Sequence, residues 1–300
     1  MSSSATSTVP RAFVHKTSES EVLLTGWRPT GPDTFSVTAR WPAAHDFYGP
    51  RRGLHDPLLV AESVRQTVPL LSHAVFDVPF GHRQSWSDFR YAVDPAALVA
   101  GAADAEVELR ITCTDVVRRA GRLVSVDMTV EIYRGDVRLG TARTSFHNHP
   151  PAIYRRLRGR YGDLAEAVAG TVPLAPPMAP RRVGRERFAD VVLSPTGSRQ
   201  LTQLRVDLTH PALFDHLVDH APGMLLLEAA RQAAQAAAYP EESIPVAMDV
   251  AFTAYAELDV PCWIHADPLP ADRFGRRRVL ISALQNDACV FSSVVTLGRV

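Results

Sequence analysis

The stretch PGMLLLEAARQAAQAAA, residues 222–238, is almost wholly apolar, yet it carries two charged groups, Glu228 and Arg231, three residues apart. Proline suits the first position of a helix, so Pro222 predicts where this helix begins. A helix that is apolar nearly all round is buried rather than laid on a surface. The stretch therefore predicts a long buried helix enclosed by sheet.

An earlier stretch, DPLLVAESVRQ (56–66), aligns without gaps with PGMLLLEAARQ (222–232) at an offset of 166 residues. The same offset places the strand-like FSVTARWP (35–42) over LTQLRVDL (201–208). Self-similarity at a fixed offset is typical of an internal duplication. The charged positions that it matches are Glu62 with Glu228 and Arg65 with Arg231.

The first copy of the helix has its own start signal. Asp56 is a good N-cap and Pro57 suits the first helical position. Pro69 is expected to kink or end this helix, because proline removes a helical hydrogen bond.

Strand-like segments follow each helix, so both halves read as strands, one long helix and then about three more strands. The segments of the first half are 88–93, 105–117, 122–133 and 137–146, and those of the second are 246–255, 276–285 and 288–297.

The domain boundary is expected in the Arg/Pro-rich segment 149–182, which contains the proline-rich run VPLAPPMAP. Such a run favours an extended, semi-rigid connector. The sequence thus predicts a disordered tail over 1–12, a first repeat over 13–148, the linker, and a second repeat over 183–300.

Composition excludes several classes of protein. The 300 residues are 46% hydrophobic, and 32 basic side chains balance 32 acidic ones, so no net charge favours nucleic acid or a membrane surface. No apolar run is long enough for a secretory signal or a membrane span, so a cytoplasmic location is expected. The three cysteines, Cys113, Cys262 and Cys289, lack the spacing of a zinc or disulfide framework and are expected to be reduced.

The acid and arginine on each helix have two interpretations. As exposed pairs three residues apart they would contribute only about 0.2–0.5 kcal/mol to the stability of a helix. Inside an apolar helix, burial costs several kcal/mol per ion, which mutual attraction often does not recover. Because both copies keep the pair, a functional pocket is the stronger hypothesis.

These features together resemble a known family. A strand-rich module around a helix that opens on PGMLLLE (222–228) resembles the hot-dog fold of fatty-acid dehydratases and thioesterases. The doubled motifs HDPLLVAESVRQ (55–66) and DHAPGMLLLEAARQAA (219–234) resemble the A-factor biosynthesis (AfsA-like) family of γ-butyrolactone synthases, which make bacterial hormones. The implied fold is an α+β double hot-dog, with two antiparallel sheets each wrapped around a long helix and related by a pseudo-twofold duplication.

The resemblance also implies an activity. Such enzymes transfer a β-ketoacyl group from the thioester of an acyl carrier protein, or of CoA, to the hydroxyl of dihydroxyacetone phosphate. The ester then cyclises by an aldol-type condensation to a phosphorylated butenolide. A hot-dog thioesterase or dehydratase and a non-catalytic acyl-binding regulatory protein stay open as alternatives. The expected protein is a monomer or weak homodimer that needs no cofactor or metal and binds neither nucleic acid nor membrane.

One departure from the dehydratases matters. They carry a catalytic histidine fourteen residues before the helix carboxylate, where this sequence has Phe214 before Glu228 and Tyr48 before Glu62. Neither side chain can perform that proton transfer, which argues against dehydration. Histidines near the two helix starts are assigned instead to substrate binding; they are His55, His216 and His220.

Four charged side chains are the candidate catalytic residues. Glu62 is expected to be a general base or orienting acid whose pKa is raised by burial. Arg231 is expected to bind the acceptor phosphate or an oxyanion as a forked donor. Glu228 and Arg65 form either a second, pseudo-symmetric pocket or supporting contacts.

Two further expectations concern binding. Gly223 and Met224 lie where the N–H groups of a helix start would meet the thioester carbonyl. The arginine-rich strings RRLRGR (155–160) and RRVGRER (181–187) are either docking sites for an acidic carrier protein or a solvated face of the linker.

Overall fold

A computed structural model of the chain describes residues 9–299. The chain divides into two compact units. The first comprises Met1–Ser85 and Tyr91–Pro151, and the second comprises Trp86–Arg90 and Ala152–Val300.

The first unit is an antiparallel sheet with one long helix. Its helix α1 spans Leu58–Ala74. Its strands lie in the order β1-β2-β4-β5-β6-β3, and the central residues of β3 group with the second unit. The strands are β1 (Leu24–Gly31), β2 (Thr34–Trp41), β3 (Arg83–Val93), β4 (Ala105–Arg119), β5 (Arg122–Arg134) and β6 (Val137–His149).

The second unit repeats this plan. Two short helices, α2 (Pro151–Arg158) and α3 (Leu164–Ala169), precede the long helix α4 (Gly223–Ala238). The strand order is β9-β12-β11-β10-β8-β7. The strands are β7 (Leu193–Pro195), β8 (Leu201–Leu204), β9 (Ser243–Phe252), β10 (Trp263–Leu269), β11 (Arg277–Gln285) and β12 (Ala288–Arg299).

Alternation of side chains explains why the sheets cover the helices. In β4 the side chains of Val107, Leu109 and Ile111 are buried while those between them are less so, as expected when one face of a strand meets a core. Both α1 and α4 are buried along nearly their whole length. The predicted α+β architecture, an antiparallel sheet with a central helix in each half, is confirmed.

Two expectations about local structure need correction. Helix α1 does not end at Pro69 but continues to Ala74. Residues 1–8 of the predicted tail lie outside the described residues, yet Val9 is buried and its N–H donates to Leu24 O at 3.0 Å. A short 3₁₀ helix, Arg11–Val14, follows at once, so this part of the tail is packed onto the first unit.

The expected linker is mostly folded. It contains α2, α3 and a 3₁₀ turn at Pro180–Val183, whereas 171–179 has no regular structure. From Ala152 onward it groups with the second unit. The proposed domain boundaries and twofold relation stay predictions. Within residues 9–299 no helix is both long and apolar enough to span a membrane.

Candidate functional site

The carboxylate of Glu62 lies inside the first unit in a cluster of three donors. Glu62 is only 2% exposed. Arg65, one turn along α1, donates from Nε and Nη2 to the two carboxylate oxygens at 2.9 and 2.8 Å. Lys16 Nζ lies 3.1 Å from Oε1, and Gln66 Nε2 donates to the same oxygen at 2.8 Å. Both carboxylate oxygens of Glu62 are therefore bound by side chains of the first unit.

The second unit builds the same cluster around Glu228, which is fully buried. Arg231 donates from Nε to Glu228 Oε2 at 2.8 Å and from Nη2 to Oε1. Arg185 donates from Nε to Oε1, also at 2.8 Å, and Gln232 Nε2 makes a further bond to Oε1. Each cluster thus has one carboxylate, two cations and one amide.

The glutamine of each cluster fastens the helix to a loop. Gln66 Nε2 also donates to Glu21 O at 2.8 Å, and its Oε1 accepts from Leu23 N at 2.9 Å. In the second unit the corresponding partners of Gln232 are Asp190 O at 2.7 Å and Val192 N at 3.0 Å.

The second cation of each cluster, Lys16 or Arg185, is not among the residues predicted from the sequence. A signal for them exists: VHKTSESEVL (14–23) matches VGRERFADVV (183–192) at an offset of 169 residues. In each segment a 3₁₀ turn ends at a residue with positive φ, His15 or Gly184, immediately before the cation. The offset differs by three residues from that of the helices, so a single gapless alignment does not show it.

The electrostatics of the two acids differ from the expectation. Burial alone would raise the pKa of Glu62, but the charges of Arg65 and Lys16 outweigh it and lower that pKa to about 2. Burial and the charges of Arg185 and Arg231 compete in the same way at Glu228, again lowering the pKa to about 2. The expected raised pKa is therefore wrong, because the two cations beside each acid outweigh the effect of burial.

The arrangement of Arg231 also differs from the expectation. Its side chain is buried, and its fork is occupied by Glu228. To bind a phosphate, Arg231 would have to break its hydrogen bonds to the buried Glu228 carboxylate. Breaking a buried ion pair destabilises the folded protein. The expected pairing of Glu62 with Arg231 in one pocket stays a prediction, as do the catalytic roles of these residues, Arg65 and Glu228.

The two long helices begin differently. Asp56 Oδ1 accepts from Leu58 N at 2.9 Å and so caps α1. Helix α4 follows Pro222, which provides no side-chain cap. A Cβ placed on Gly223 would lie 3.3 Å from Trp86 and 3.5 Å from Phe252, so aromatic rings border the start of α4.

The remaining candidates surround these helix starts. His55 is 1% exposed, lies 5.6 Å from the Trp41 ring between centroids, and has no hydrogen-bond partner at either ring nitrogen in the described residues. Met224 is buried in the first turn of α4. His216 and His220 lie in the loop before α4 and are more exposed than His55.

Each arginine-rich string contributes one side chain to the interior. Arg158 of the first string and Arg185 of the second are 5% and 2% exposed and bind buried carboxylates. These two are unavailable to a carrier protein, which corrects part of the docking expectation. The arginines that stay exposed are Arg155, Arg156, Arg160, Arg181, Arg182 and Arg187.

Solved structures of other proteins share the fold. The pyran synthase domain from module nine of the sorangicin pathway matches 93% of this chain and 98% of its own, with a TM-score of 0.54 and 13% identity. The 12:0-ACP thioesterase from Umbellularia californica matches 88% and 94%, with a TM-score of 0.54 and 8% identity. Identities this low establish the fold alone.

Closer relatives exist in sequence. A protein of Streptomyces virginiae named 2-oxo-3-(phosphooxy)propyl 3-oxoalkanoate synthase is 47% identical, over 97% of both chains. A protein of the same name from Streptomyces coelicolor is 39% identical over 96% of this chain and 91% of its own. The model of the A-factor biosynthesis hotdog domain matches residues 2–148 and again 169–298. The chain therefore belongs to the A-factor biosynthesis hotdog family.

Proposed function

We propose that this protein is an acyltransferase that moves a β-ketoacyl group from a carrier-protein or CoA thioester to the hydroxyl of dihydroxyacetone phosphate. The product is a 2-oxo-3-(phosphooxy)propyl 3-oxoalkanoate, the compound that gives the Streptomyces relatives their name. Identity of 47% over nearly the whole of both chains supports this transfer of function. The ester then cyclises to a phosphorylated butenolide, and the enzyme works in the cytoplasm without a cofactor.

The main structural support for the proposal is the start of α4, which is uncapped in the sense that Pro222 makes no side-chain cap. Backbone N–H groups at a helix start are partly positive and stabilise negative charge that develops on an oxygen. At α1 the Asp56 carboxylate already accepts from Leu58 N. At α4 the residue before the helix, Pro222, makes no side-chain cap, and Gly223 leaves room beside Trp86. The start of α4 therefore receives the thioester carbonyl, with the aromatic rings beside it.

The buried acids have a different part in this proposal. A carboxylate whose pKa is about 2 is a weak base for an alcohol, and neither Glu62 nor Glu228 faces solvent. Each instead fastens its helix to the preceding loop through Lys16 or Arg185. The clusters hold the start of each helix in place, so their contribution to catalysis is positional.

The test is product analysis. Purified protein is incubated with a 3-oxoacyl thioester on carrier protein, and separately on CoA, with and without dihydroxyacetone phosphate. Mass spectrometry should show the phosphorylated ester or its butenolide only when the acceptor is present. Release of the free acid at the same rate with and without acceptor would instead identify a thioesterase. Binding without turnover of any thioester would identify an acyl-binding regulatory protein.

The variant Gly223→Val provides a check on the site. A branched side chain at this position would meet Trp86 and close the start of α4. Loss of thioester turnover in a folded Gly223→Val protein is expected, whereas Gly197→Val, at an exposed position where a Cβ has open space, is the control for a general effect of the substitution.

A further inference from the structure

The loop before α4 contains an Asp–His pair that the function above leaves unused. His220 Nδ1 lies 2.8 Å from Asp219 Oδ1, and the ring contacts the edge of Tyr255 at 4.7 Å between centroids. The His220 side chain is 24% exposed, while that of Asp219 is 9% exposed. Because Asp219 engages Nδ1, Nε2 is the ring nitrogen left to accept a proton from a substrate. Only Ala221 separates His220 from Pro222 at the start of α4.

Asp219 is held ionised by two side chains of α2, Tyr154 and Arg158. Tyr154 of α2 donates its hydroxyl to both carboxylate oxygens, at 2.7 and 3.0 Å. Arg158 Nε lies 3.1 Å from Asp219 Oδ2. Burial opposes ionisation, but His220, Tyr154 and Arg158 together bring the pKa of Asp219 well below its usual range. An anionic partner at Nδ1 fixes the neutral imidazole with its proton on Nδ1 and its lone pair on Nε2.

The same arginine makes the loop rigid. Arg158 Nη2 donates to Asp219 O at 3.0 Å, and Nη1 and Nη2 donate to the two oxygens of Glu257, both at 2.7 Å. The Arg158 guanidinium also lies 4.2 Å from the centre of the Tyr255 ring. The imidazole of His220 is therefore oriented by a carboxylate that is itself fixed on several sides, the geometry that a general base requires.

Neither of the other two candidate histidines has this geometry. The distance from His216 Nδ1 to Asp215 Oδ2 is 3.4 Å, which is long for a hydrogen bond, and the His216 side chain is 37% exposed. This contact therefore orients the His216 ring less firmly than Asp219 orients the His220 ring. His55, at the start of α1, is buried and has no carboxylate at its ring. Of the three candidate histidines, His220 therefore has the ring that a carboxylate orients most closely, and it lies beside the start of α4.

We infer that His220 is the general base of the proposed acyl transfer and that Asp219 is its positioning residue; this inference rests on the proposed function. Nε2 accepts the proton of the acceptor hydroxyl as its oxygen attacks the thioester carbonyl carbon and the C–O bond forms. The tetrahedral intermediate then collapses, the C–S bond breaks, and the imidazolium returns the proton to the departing thiolate. The histidine ends the cycle neutral.

The experiment compares His220→Gln with His265→Gln, a control histidine on β10 of the same unit that has no part in the proposed site. Circular dichroism and thermal unfolding establish that both are folded. In single-turnover assays with a 3-oxoacyl thioester and dihydroxyacetone phosphate, His220→Gln should lose about 10²–10⁴-fold in rate, the usual effect of removing a general base. His265→Gln should stay within about threefold of the parent protein, well short of that loss.

The pH profile distinguishes a base from a structural residue. In the parent protein the rate should fall on acidification, because an imidazolium has no lone pair with which to accept a proton. The residual rate of His220→Gln should lack this acid limb and rise with hydroxide concentration. A parent rate that does not fall on acidification while the protein stays folded would overturn the inference even if His220→Gln failed to fold.

Two results separate the inference from the function on which it rests. A parent protein that forms no ester from any thioester and dihydroxyacetone phosphate refutes the proposed function. A parent protein that forms the ester, together with a folded His220→Gln variant that forms it at a similar rate, refutes the role of His220 alone.

Discussion

Replacing Glu228 by glutamine tests whether the buried cluster of the second unit contributes to stability through ionisation. The pKa of Glu228 is lowered from 4.5 to about 2, which corresponds to about 3 kcal/mol of stability at neutral pH, at about 1.4 kcal/mol per pKa unit. Because the folded-state pKa is the lower one, this contribution is fully present above about pH 5. It is lost as pH falls toward 2, with about 2 kcal/mol gone by pH 3.

At pH 7, Glu228→Gln also leaves Arg185 and Arg231 buried without their anionic partner. Removing one partner of a buried ion pair typically destabilises a protein by about 3–5 kcal/mol, and that is the expected difference in the free energy of unfolding at pH 7. The difference between parent and variant should then shrink by about 2 kcal/mol between pH 7 and pH 3, since only the parent loses the ionised carboxylate.

The measurement is urea unfolding followed by circular dichroism at each pH, with Glu106→Gln as the control. Glu106 is 69% exposed on its side chain and pairs with Arg40 at the surface, so its removal should cost less than about 1 kcal/mol at every pH. A difference between parent and Glu228→Gln that stays constant from pH 7 to pH 3 would show that the carboxylate is not strongly ionised by its neighbours, and the reasoning would fail.

Two further predictions concern reactivity and backbone strain. Burial raises the pKa of Cys113 and Cys262 to about 12, whereas Cys289 is exposed, so the native protein should react with one equivalent of a disulfide reagent at pH 8 and the denatured protein with three. Gly184 has a φ of +67°, and a Cβ there would clash with the Gln235 side-chain amide, so Gly184→Ala should lower the free energy of unfolding by about 1–3 kcal/mol, as measured by urea titration.

The sequence predicted what short-range patterns determine. The apolar run after Pro222 and its copy after Pro57 gave both long helices, and alternation gave most of the strands. The acid and arginine of each helix are neighbours because residues three apart share a helix face.

The sequence could not predict contacts that depend on how distant segments meet. Lys16 and Arg185 approach their acids from loops more than forty residues away, at a different repeat offset, so the direction of the pKa shifts was wrong. Tyr154 and Arg158 were assigned to a linker, and only the folded chain brings them to Asp219. Each arginine-rich string contains one buried arginine, Arg158 or Arg185, which composition alone does not identify.

The two repeats differ at the residue that caps each long helix. At the offset of 166 residues, the capping Asp56 of the first repeat corresponds to Pro222 in the second, which provides no side-chain cap to α4. If the free start of α4 receives the thioester carbonyl, a carboxylate supplied there by the protein itself should exclude it, since both compete for the same N–H groups.

Pro222→Asp is therefore expected to retain the fold, because Pro222 has an extended, non-helical backbone that an N-cap aspartate adopts, and to lose thioester turnover by at least about 10²-fold, the effect of losing an oxyanion donor. In the first repeat, Asp56→Ala should lower the free energy of unfolding by about 1 kcal/mol through loss of a helix cap and leave turnover nearly intact. Single-turnover acyl transfer and urea unfolding of the two variants measure both effects. Full activity in a folded Pro222→Asp protein, or loss of activity confined to Asp56→Ala, would move the reaction away from α4, because the carbonyl could not then depend on N–H groups that a carboxylate had already taken.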